Sequence, residues 1–289
     1  MSFRADGKKL KNTDPMYTVV PYIMDKRYDA LNYITLDIPL EPMSKYLADA
    51  RKRGKTYSHM DIILAAYARM CGKFPQVNRF IVNKRIYARN ELAVAMVVLK
   101  PGTSGGETMS KLYLDYTDTI DDVHNVIEKF VVDNRKAEGA NSTDKMIKFL
   151  VSLPGLVGFL IAVFKFLDRH GLLPRFVIDL SPFHTSLTIT NLASIRTNYN
   201  YHHIYEFGTT GMIIAMGNSR EVAKRKGGEI VFEKCMPLGI VMDERLCSGA
   251  YYATAFRYFK KFTDNPELLE LPPEEDPTYE IPFRKRDRF

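Results

Sequence analysis

The sequence predicts an α/β fold of the two-layer sandwich type, in which helices pack on a mixed β-sheet. Stretches with the period of a strand alternate along the chain with stretches that have the period of a helix. A chain of 289 residues with 46% hydrophobic residues is long enough to bury one large core. We therefore expect one domain over residues 21–270, with an N-terminal arm over 1–20 and a Pro-rich basic tail over 271–289.

Composition argues against several classes of site. Cys71, Cys235 and Cys247 are too few and too scattered for a disulfide framework or a zinc site, so no metal is expected. The net charge of +7 is spread over short basic runs among acidic residues, and nucleic-acid binding is not expected. No charged and then apolar leader is visible, which favours a cytoplasmic protein.

The first half of the chain predicts a strand, two helices and three further strands. Residues 32–40 alternate as a strand does, and residues 43–54 have helical spacing. Ser58, with Asp61 three residues later, predicts a capping box at the start of a central helix. The next strands are expected at residues 79–82, 86–88 and 92–99.

The second half begins with a Gly-rich loop at 101–106 and a helix that Thr117 or Asp118 caps. Further strands and the last helix are expected at residues 183–192, 212–216, 238–242 and 249–262.

Residues 149–164 form an apolar segment that carries no charge. A bilayer span needs about 20 apolar residues, and Pro154 and Gly155 interrupt this shorter stretch. We expect a buried or pocket-lining helix here in preference to a membrane contact. A membrane-surface protein that uses this segment and the basic arms is the third-ranked alternative.

A polar run, Asp243-Glu244-Arg245-Leu246-Cys247-Ser248-Gly249, lies where a buried strand is expected to end and a helix to begin. Such a junction suits a polar site. The run resembles the His-x-x-x-Asp-Gly motif of chloramphenicol acetyltransferases and of the catalytic domains of dihydrolipoamide acyltransferases. Glu244 stands at the histidine position and Ser248 at the aspartate position, while Gly249 keeps the glycine.

Other segments carry the same resemblance in the same order along residues 25–270. Lys73-Phe74-Pro75-Gln76-Val77-Asn78 is similar to the family's Pro-x-x-Asn turn, and Leu187-Thr188-Ile189-Thr190-Asn191-Leu192 is similar to its Phe-Thr-Ile-Ser-Asn-Leu strand. The resemblance implies the chloramphenicol acetyltransferase-like fold and a homotrimer with its sites between subunits. In some relatives such trimers join into hollow cages.

The resemblance also implies roles for single residues. Thr190 would hydrogen-bond the oxyanion of a tetrahedral intermediate, with Asn191 in support, and coenzyme A or acyl-coenzyme A would be a substrate and no cofactor would be tightly bound. A glutamate near pKa 4.3 is about 2 units weaker as a base than a histidine near 6.5. Besides Glu244, the base candidates are therefore His202 and His203.

Other residues near these positions are candidates for substrate binding. Strand alternation would place His184, Ser186 and Thr190 on one side of a strand. The substrate-binding candidates are His184, Ser186, Tyr201, Ser248 and Gly249. Each histidine, taken alone, fits a structural residue held by hydrogen bonds better than a catalytic one, whereas the three histidines together around one strand favour neither interpretation.

These observations predict a coenzyme A-linked acyltransferase that acts on an unidentified small-molecule acceptor through an altered motif. The alternative is a catalytically inactive scaffold that forms a trimer or a larger cage.

Overall fold

The computed structural model describes residues 3–11, 13–99, 107–136, 152 and 155–286. The strands are β1 (Phe3–Arg4), β2 (Gly7–Lys9), β3 (Leu31–Pro39), β4 (Arg79–Val82), β5 (Arg85–Arg89), β6 (Leu92–Leu99), β7 (Glu107–Leu114), β8 (Leu187–Asn191), β9 (Met212–Met216), β10 (Arg220–Lys226) and β11 (Glu229–Asp243). The helices are α1 (Pro15–Ile23), α2 (Leu40–Lys52), α3 (His59–Lys73), α4 (Ile120–Lys136), α5 (Val157–Arg169), α6 (Arg175–Leu180) and α7 (Gly249–Asp264). The predicted Gly-rich loop at 101–106 lies outside the described residues.

A large mixed sheet organises the fold, as predicted. Its strands lie in the order β3, β11, β9, β8, β6, β7, and β10 pairs with the outer half of β11. β8 runs parallel to both β6 and β9, while the other pairs are antiparallel. A smaller sheet has the order β1, β2, β5, β4.

The main core lies between the large sheet and helices α3, α4 and α7. Helix α3 is apolar on all sides, and its residues from Met60 to Gly72 are buried. The predicted capping box is present, because Ser58 Oγ accepts the amide of Asp61 and the Asp61 carboxylate accepts the amide of Ser58. The sequence thus fixes where the central helix begins.

The cap of α4 was predicted at the wrong residue. Thr119 Oγ1 accepts the amide of Asp122 at 3.3 Å, and the Asp122 carboxylate accepts the amide of Thr119 at 3.0 Å. Thr117 and Asp118 instead close the preceding turn with Asp115. The sequence has three adjacent polar residues here, Thr117, Asp118 and Thr119. The hydrogen bonds of the preceding turn engage the first two and leave Thr119 as the N-cap.

The N-terminal arm is more structured than predicted. Strands β1 and β2 join the smaller sheet through β5, and Arg4 and Asp6 are buried. Residues 15–23 form α1, which the sequence did not predict, and the expected boundary between residues 20 and 21 falls within this helix.

The prediction of a buried or pocket-lining helix for the apolar segment is wrong in the single chain. Helix α5 begins at Val157 and has Asp168 as its one buried residue, while Phe159 is 65% exposed and Phe166 58% exposed. Residues 149–151, 153 and 154 lie outside the described part. No helix within the described ranges combines the length and hydropathy that a bilayer crossing requires.

Over residues 271–286 the tail forms neither a helix nor a strand and lies on the surface of its own domain. The amide of Thr278 donates to the carbonyl of Gly72 at 2.8 Å, and Arg79 pairs with Glu280. Further along, the amide of Arg284 donates to the carbonyl of Asn90. The tail is thus tied to its own domain.

Candidate active site

The Asp243-Glu244-Arg245 turn is held by a buried ion pair. Arg245 Nε and Nη2 donate to the two carboxylate oxygens of Asp243 at 2.8 and 2.7 Å. Arg27 Nε lies 3.6 Å from the same carboxylate, and all three side chains are buried. Because both neighbours of Glu244 are fixed in this way, its backbone position is well determined.

Glu244 itself points outward. Its amide donates to the carbonyl of Ala30 at 2.9 Å, while its side chain is exposed. Among the residues that the structure describes, its carboxylate has no hydrogen-bond or ion-pair partner. Arg245 therefore pairs with Asp243 and leaves Glu244 free to meet a ligand.

Ser248 and Gly249 begin helix α7. Ser248 Oγ accepts the amide of Tyr251 at 3.1 Å, which makes it the N-cap, and a Cβ added at Gly249 would meet open space. Cys247 is buried, and burial raises the pKa of its thiol to about 12. A thiol with that pKa stays protonated at neutral pH and is no nucleophile.

Thr190 lies near the end of β8 and is half-buried. Across the sheet, residue 190 lies beside Ala215, Gly239 and Thr35 in a single row, and the first two are small. Asn191 Oδ1 accepts the amide of Ser194 and caps the 3₁₀ turn that follows. Asn191 thus holds the chain that follows Thr190, and its role in support of an oxyanion stays a prediction.

The segment 197–206 crosses the sheet face between these two places. A Cβ at Gly239 would lie 2.4 Å from the carbonyl oxygen of Asn200, and one at Gly217 would lie 2.3 Å from the amide of Tyr199. Glycine is needed at both positions because the backbone of the segment lies directly on the strands. Ile204 then packs on Ile213 and Val241 further along the sheet.

Tyrosines of this segment close over β3. The hydroxyls of Tyr199 and Tyr201 lie 3.2 and 2.5 Å from Thr35 Oγ1, and the Tyr33 ring packs edge-on against Tyr201. Tyr201 is 42% exposed and thus accessible to a ligand. Thr35 and Tyr199 were not among the predicted site residues. The available signal of a close backbone approach was a glycine within one buried strand, Gly239, and a glycine directly after another, Gly217.

The two histidines of the segment differ. His202 is half-buried, burial lowers its pKa from the usual 6.5, and its Nε2 has no hydrogen-bond partner among the described residues. His203 is exposed. A neutral imidazole with a free nitrogen can accept a proton, so His202 keeps the chemistry of a base.

His184 and Ser186 do not belong to the surface around Thr190. Strand β8 begins at Leu187, so the predicted alternation does not extend back to residue 184. His184 is fully buried, with Nδ1 2.7 Å from Ser181 Oγ and Nε2 3.2 Å from Asp168 Oδ1. Ser186 Oγ accepts the amide of Ala93. Both side chains are enclosed and serve the packing.

One chain does not bring Thr190 and Glu244 together. Residue 190 lies in the row of Gly239, and Asp243 follows Gly239 by four residues along β11. At about 3.3 Å per residue, the two rows are about 13 Å apart along the strand direction, before the separation across strands is added. The two predicted catalytic residues therefore lie toward opposite ends of the sheet.

No group of three or more His, Cys, Asp or Glu side chains suited to a metal ion occurs within residues 3–11, 13–99, 107–136, 152 and 155–286.

The chain resembles known acyltransferases in sequence and in fold. Residues 184–271 match the family described as 2-oxoacid dehydrogenases acyltransferase (catalytic domain). No curated protein sequence matches the chain.

Three solved structures share the fold at low sequence identity. A probable dihydrolipoamide acetyltransferase from Listeria monocytogenes 4b F2365 is 11% identical with a TM-score of 0.55, covering 89% of this chain and 94% of that one. The cubic core of a pyruvate dehydrogenase multienzyme complex is 12% identical with a TM-score of 0.52, covering 91% and 95%. A chloramphenicol acetyltransferase is 11% identical with a TM-score of 0.54, covering 89% and 99%. The predicted resemblance is confirmed: the chain has the fold that these acetyltransferases share, and its residues 184–271 resemble the acyltransferase catalytic domain.

Proposed function

We propose that the protein is an acyltransferase that moves an acyl group between coenzyme A and a small acceptor. The observation that carries the proposal is the free carboxylate of Glu244. It stands on a turn that Asp243 and Arg245 hold rigid, at the position where the resemblance places the base. A catalytic group needs this kind of fixed backbone with an accessible side chain.

The chemistry follows from these groups. Glu244 takes the proton of the acceptor's thiol, hydroxyl or amine as that atom attacks the thioester carbonyl. The carbonyl oxygen becomes an oxyanion that accepts a hydrogen bond from Thr190 Oγ1. When the tetrahedral intermediate collapses, the C–S bond breaks and the coenzyme A sulfur leaves with the proton that Glu244 carried.

A second copy of the chain supplies the missing half of the site. Within one chain, Thr190 and Glu244 stand about 13 Å or more apart. β3 forms an edge of the large sheet, and Tyr33 and Tyr201 are exposed beside it. We infer a homotrimer with the site between subunits, as the resemblance implies, and one structural neighbour is described as a cubic core.

His202 is the second candidate for the base. It lies in the segment that covers the sheet between the row of Thr190 and the row of Asp243, and its Nε2 is unpartnered within the described residues. His203 is exposed and ranks below it. Substituting Glu244, His202 and His203 one at a time distinguishes which of them is the base.

The proposal is tested by turnover of acetyl-coenzyme A with a panel of thiol, hydroxyl and amine acceptors. We expect Glu244→Gln to lower kcat about 10²- to 10⁴-fold, because a general base is lost. Thr190→Val should cost about 10²- to 10³-fold through the lost oxyanion donor. Glu229→Gln, at an exposed glutamate on β11, is the matched control and should keep wild-type activity.

Co-expression of Glu244→Gln and Thr190→Val chains tests the shared site. In randomly mixed trimers, about one quarter of the interfaces join an intact Glu244 to an intact Thr190, so about a quarter of the wild-type activity should return. If no activity returns in mixed trimers, the two residues act from one chain. If wild-type protein turns over no acyl-coenzyme A with any acceptor, the catalytic proposal fails and the inactive scaffold stands.

A further inference from the structure

Helices α1 and α5 expose large apolar side chains in unusual number. On α1 they are Met16, Val19, Tyr22 and Ile23, and on and beside α5 they are Leu156, Phe159, Ile161 and Phe166. Single exposed apolar residues are ordinary, but two helices that present them together mark a contact surface. We call these eight side chains the α1–α5 face.

The two helices meet at one place, the turn between β4 and β5. Lys84 Nζ of that turn lies 5.3 Å from the ring centre of Tyr22, and it pairs with Asp25 at 3.0 Å. On the other side, Arg169 Nε at the end of α5 donates to Asn83 Oδ1 at 3.1 Å. The C-terminal ends of both helices therefore lie beside one turn, which carries the cation Lys84.

Helix α5 is held on the rest of the domain by side chains that do not belong to the α1–α5 face. Asp168 receives a hydrogen bond from Arg4 at 2.7 Å, and Phe164 and Leu167 pack against the cluster around Val177. The exposed side chains are thus left over after the helix has docked, and they need another partner.

A cavity of about 280 Å³ lies between the end of α5 and the chain that follows α1, and it is rich in cations. Lys26, Lys84, Lys165 and Arg169 line it, together with the buried Arg27 and Arg245. The carboxylates that line it already have partners: Asp25 pairs with Lys84, Asp168 bonds Arg4, and Glu206 accepts the amide of Arg27. Lys84 is paired in turn, and Arg27 and Arg245 pair with Asp243. Arg169 bonds Asn83, which leaves Lys26 and Lys165 as the cations of the lining that have no partner among the described residues. With six cationic and three acidic side chains, the lining is positive overall.

We propose that the α1–α5 face docks on the surface of an anionic lipid bilayer. Apolar side chains beside lysine and arginine are the combination by which helices lie in the headgroup region of a membrane. Tyrosine, here Tyr22, suits that region because its ring is apolar and its hydroxyl is polar. The lysines and arginine of the cavity supply the complement to anionic headgroups. The surface is independent of the acyl-transfer proposal.

The test is co-sedimentation of the full chain with vesicles. Wild-type protein should sediment with phosphatidylcholine vesicles that contain phosphatidylglycerol, should stay in solution with pure phosphatidylcholine, and should be released by salt. Two double variants should each bind anionic vesicles at least about tenfold more weakly than the wild type. They are Phe159→Ser, Phe166→Ser and Lys26→Glu, Lys165→Glu. The two variants probe the apolar and the cationic part of the surface separately, and circular dichroism checks that each is folded.

The matched control lies on the β10–β11 hairpin. Ile230 and Phe232 are 71% and 70% exposed, so Ile230→Ser, Phe232→Ser removes equally exposed apolar side chains from another surface. The proposal is overturned if this control loses vesicle binding to the same extent as Phe159→Ser, Phe166→Ser. It is also overturned if the wild-type protein does not bind anionic vesicles. A change in particle mass of Phe159→Ser, Phe166→Ser overturns it as well, because that change would assign the face to contacts between copies of the chain.

Discussion

In the turn at residues 243–245, the two outer residues hold the backbone and the middle residue, Glu244, is exposed. Asp243 and Arg245 are buried and bonded to each other, whereas Glu244 is exposed. From the sequence, Arg245 was as able to pair with Glu244 as with Asp243. Pairing with Asp243 decides that the acidic residue at the histidine position remains available.

The buried pair should matter greatly for stability. Arg245→Ala leaves the Asp243 carboxylate buried with only Arg27 near it, and we expect a loss of about 3–5 kcal/mol in the free energy of unfolding. Arg220→Ala is the control, because Arg220 makes an exposed pair with Asp37 and should cost about 1 kcal/mol or less. Urea denaturation of both variants measures the difference, and equal losses would contradict the assignment.

A second buried group should make stability depend on pH. Burial lowers the pKa of His184, although Asp168 at 3.2 Å opposes this in part. Because His184 binds a proton more readily in the unfolded chain than in the folded one, the free energy of unfolding should fall as the pH drops below about 6.5. His184→Gln should make this step smaller, and burial of His59 and His202, which lowers their pKa values too, accounts for the part that remains. His203→Gln, at an exposed histidine, should leave the step at its full size.

The carboxylates of the same cluster act at lower pH. Burial works to raise the pKa values of Asp6 and Asp168, but Arg4 and His184 outweigh it and hold both pKa values below the usual 3.8. Their contribution is present above pH 3.8 and is lost as the pH falls further. A urea midpoint that is constant from pH 7 to pH 4 would contradict the histidine step and leave only this one.

At the scale of elements, the 197–206 segment depends on two glycines beneath it. Gly239→Ala places a methyl group 2.4 Å from the carbonyl oxygen of Asn200, so the segment must move. We expect a loss of about 1–3 kcal/mol in stability, together with displacement of His202 and Tyr201. Gly249→Ala, where a Cβ meets nothing within 4 Å, should be neutral or stabilising at the start of α7. Thermal unfolding compares the two, and a neutral Gly239→Ala would show that the segment lies higher above the sheet.

At the scale of the whole molecule, the C-terminal tail affects how many chains can join into one particle. The tail is tied to its own domain through Thr278, Glu280 and Arg284. We propose that a tail held in this way does not link trimers into a cage. We therefore predict a particle of three 33.2-kDa chains by sedimentation velocity. A mass of many trimers would contradict this and would require the tail to detach.

The sequence by itself determined the α/β class, the central helix with its capping box, and the strands of the sheet interior such as β6 and β9. These follow from local properties: the spacing of apolar residues and the chemistry of a cap are written in consecutive positions.

The tertiary structure alone decided where those elements put their side chains. It exposed α5, buried His184 away from Thr190, selected Thr119 over its neighbours as a cap, and separated Thr190 from Glu244 within the chain. Each of these depends on strand order, register or a partner distant in sequence, and a local pattern carries no record of them. The altered motif could be found from the sequence, but its free carboxylate and its distance from Thr190, from which we propose a shared site, follow only from the fold.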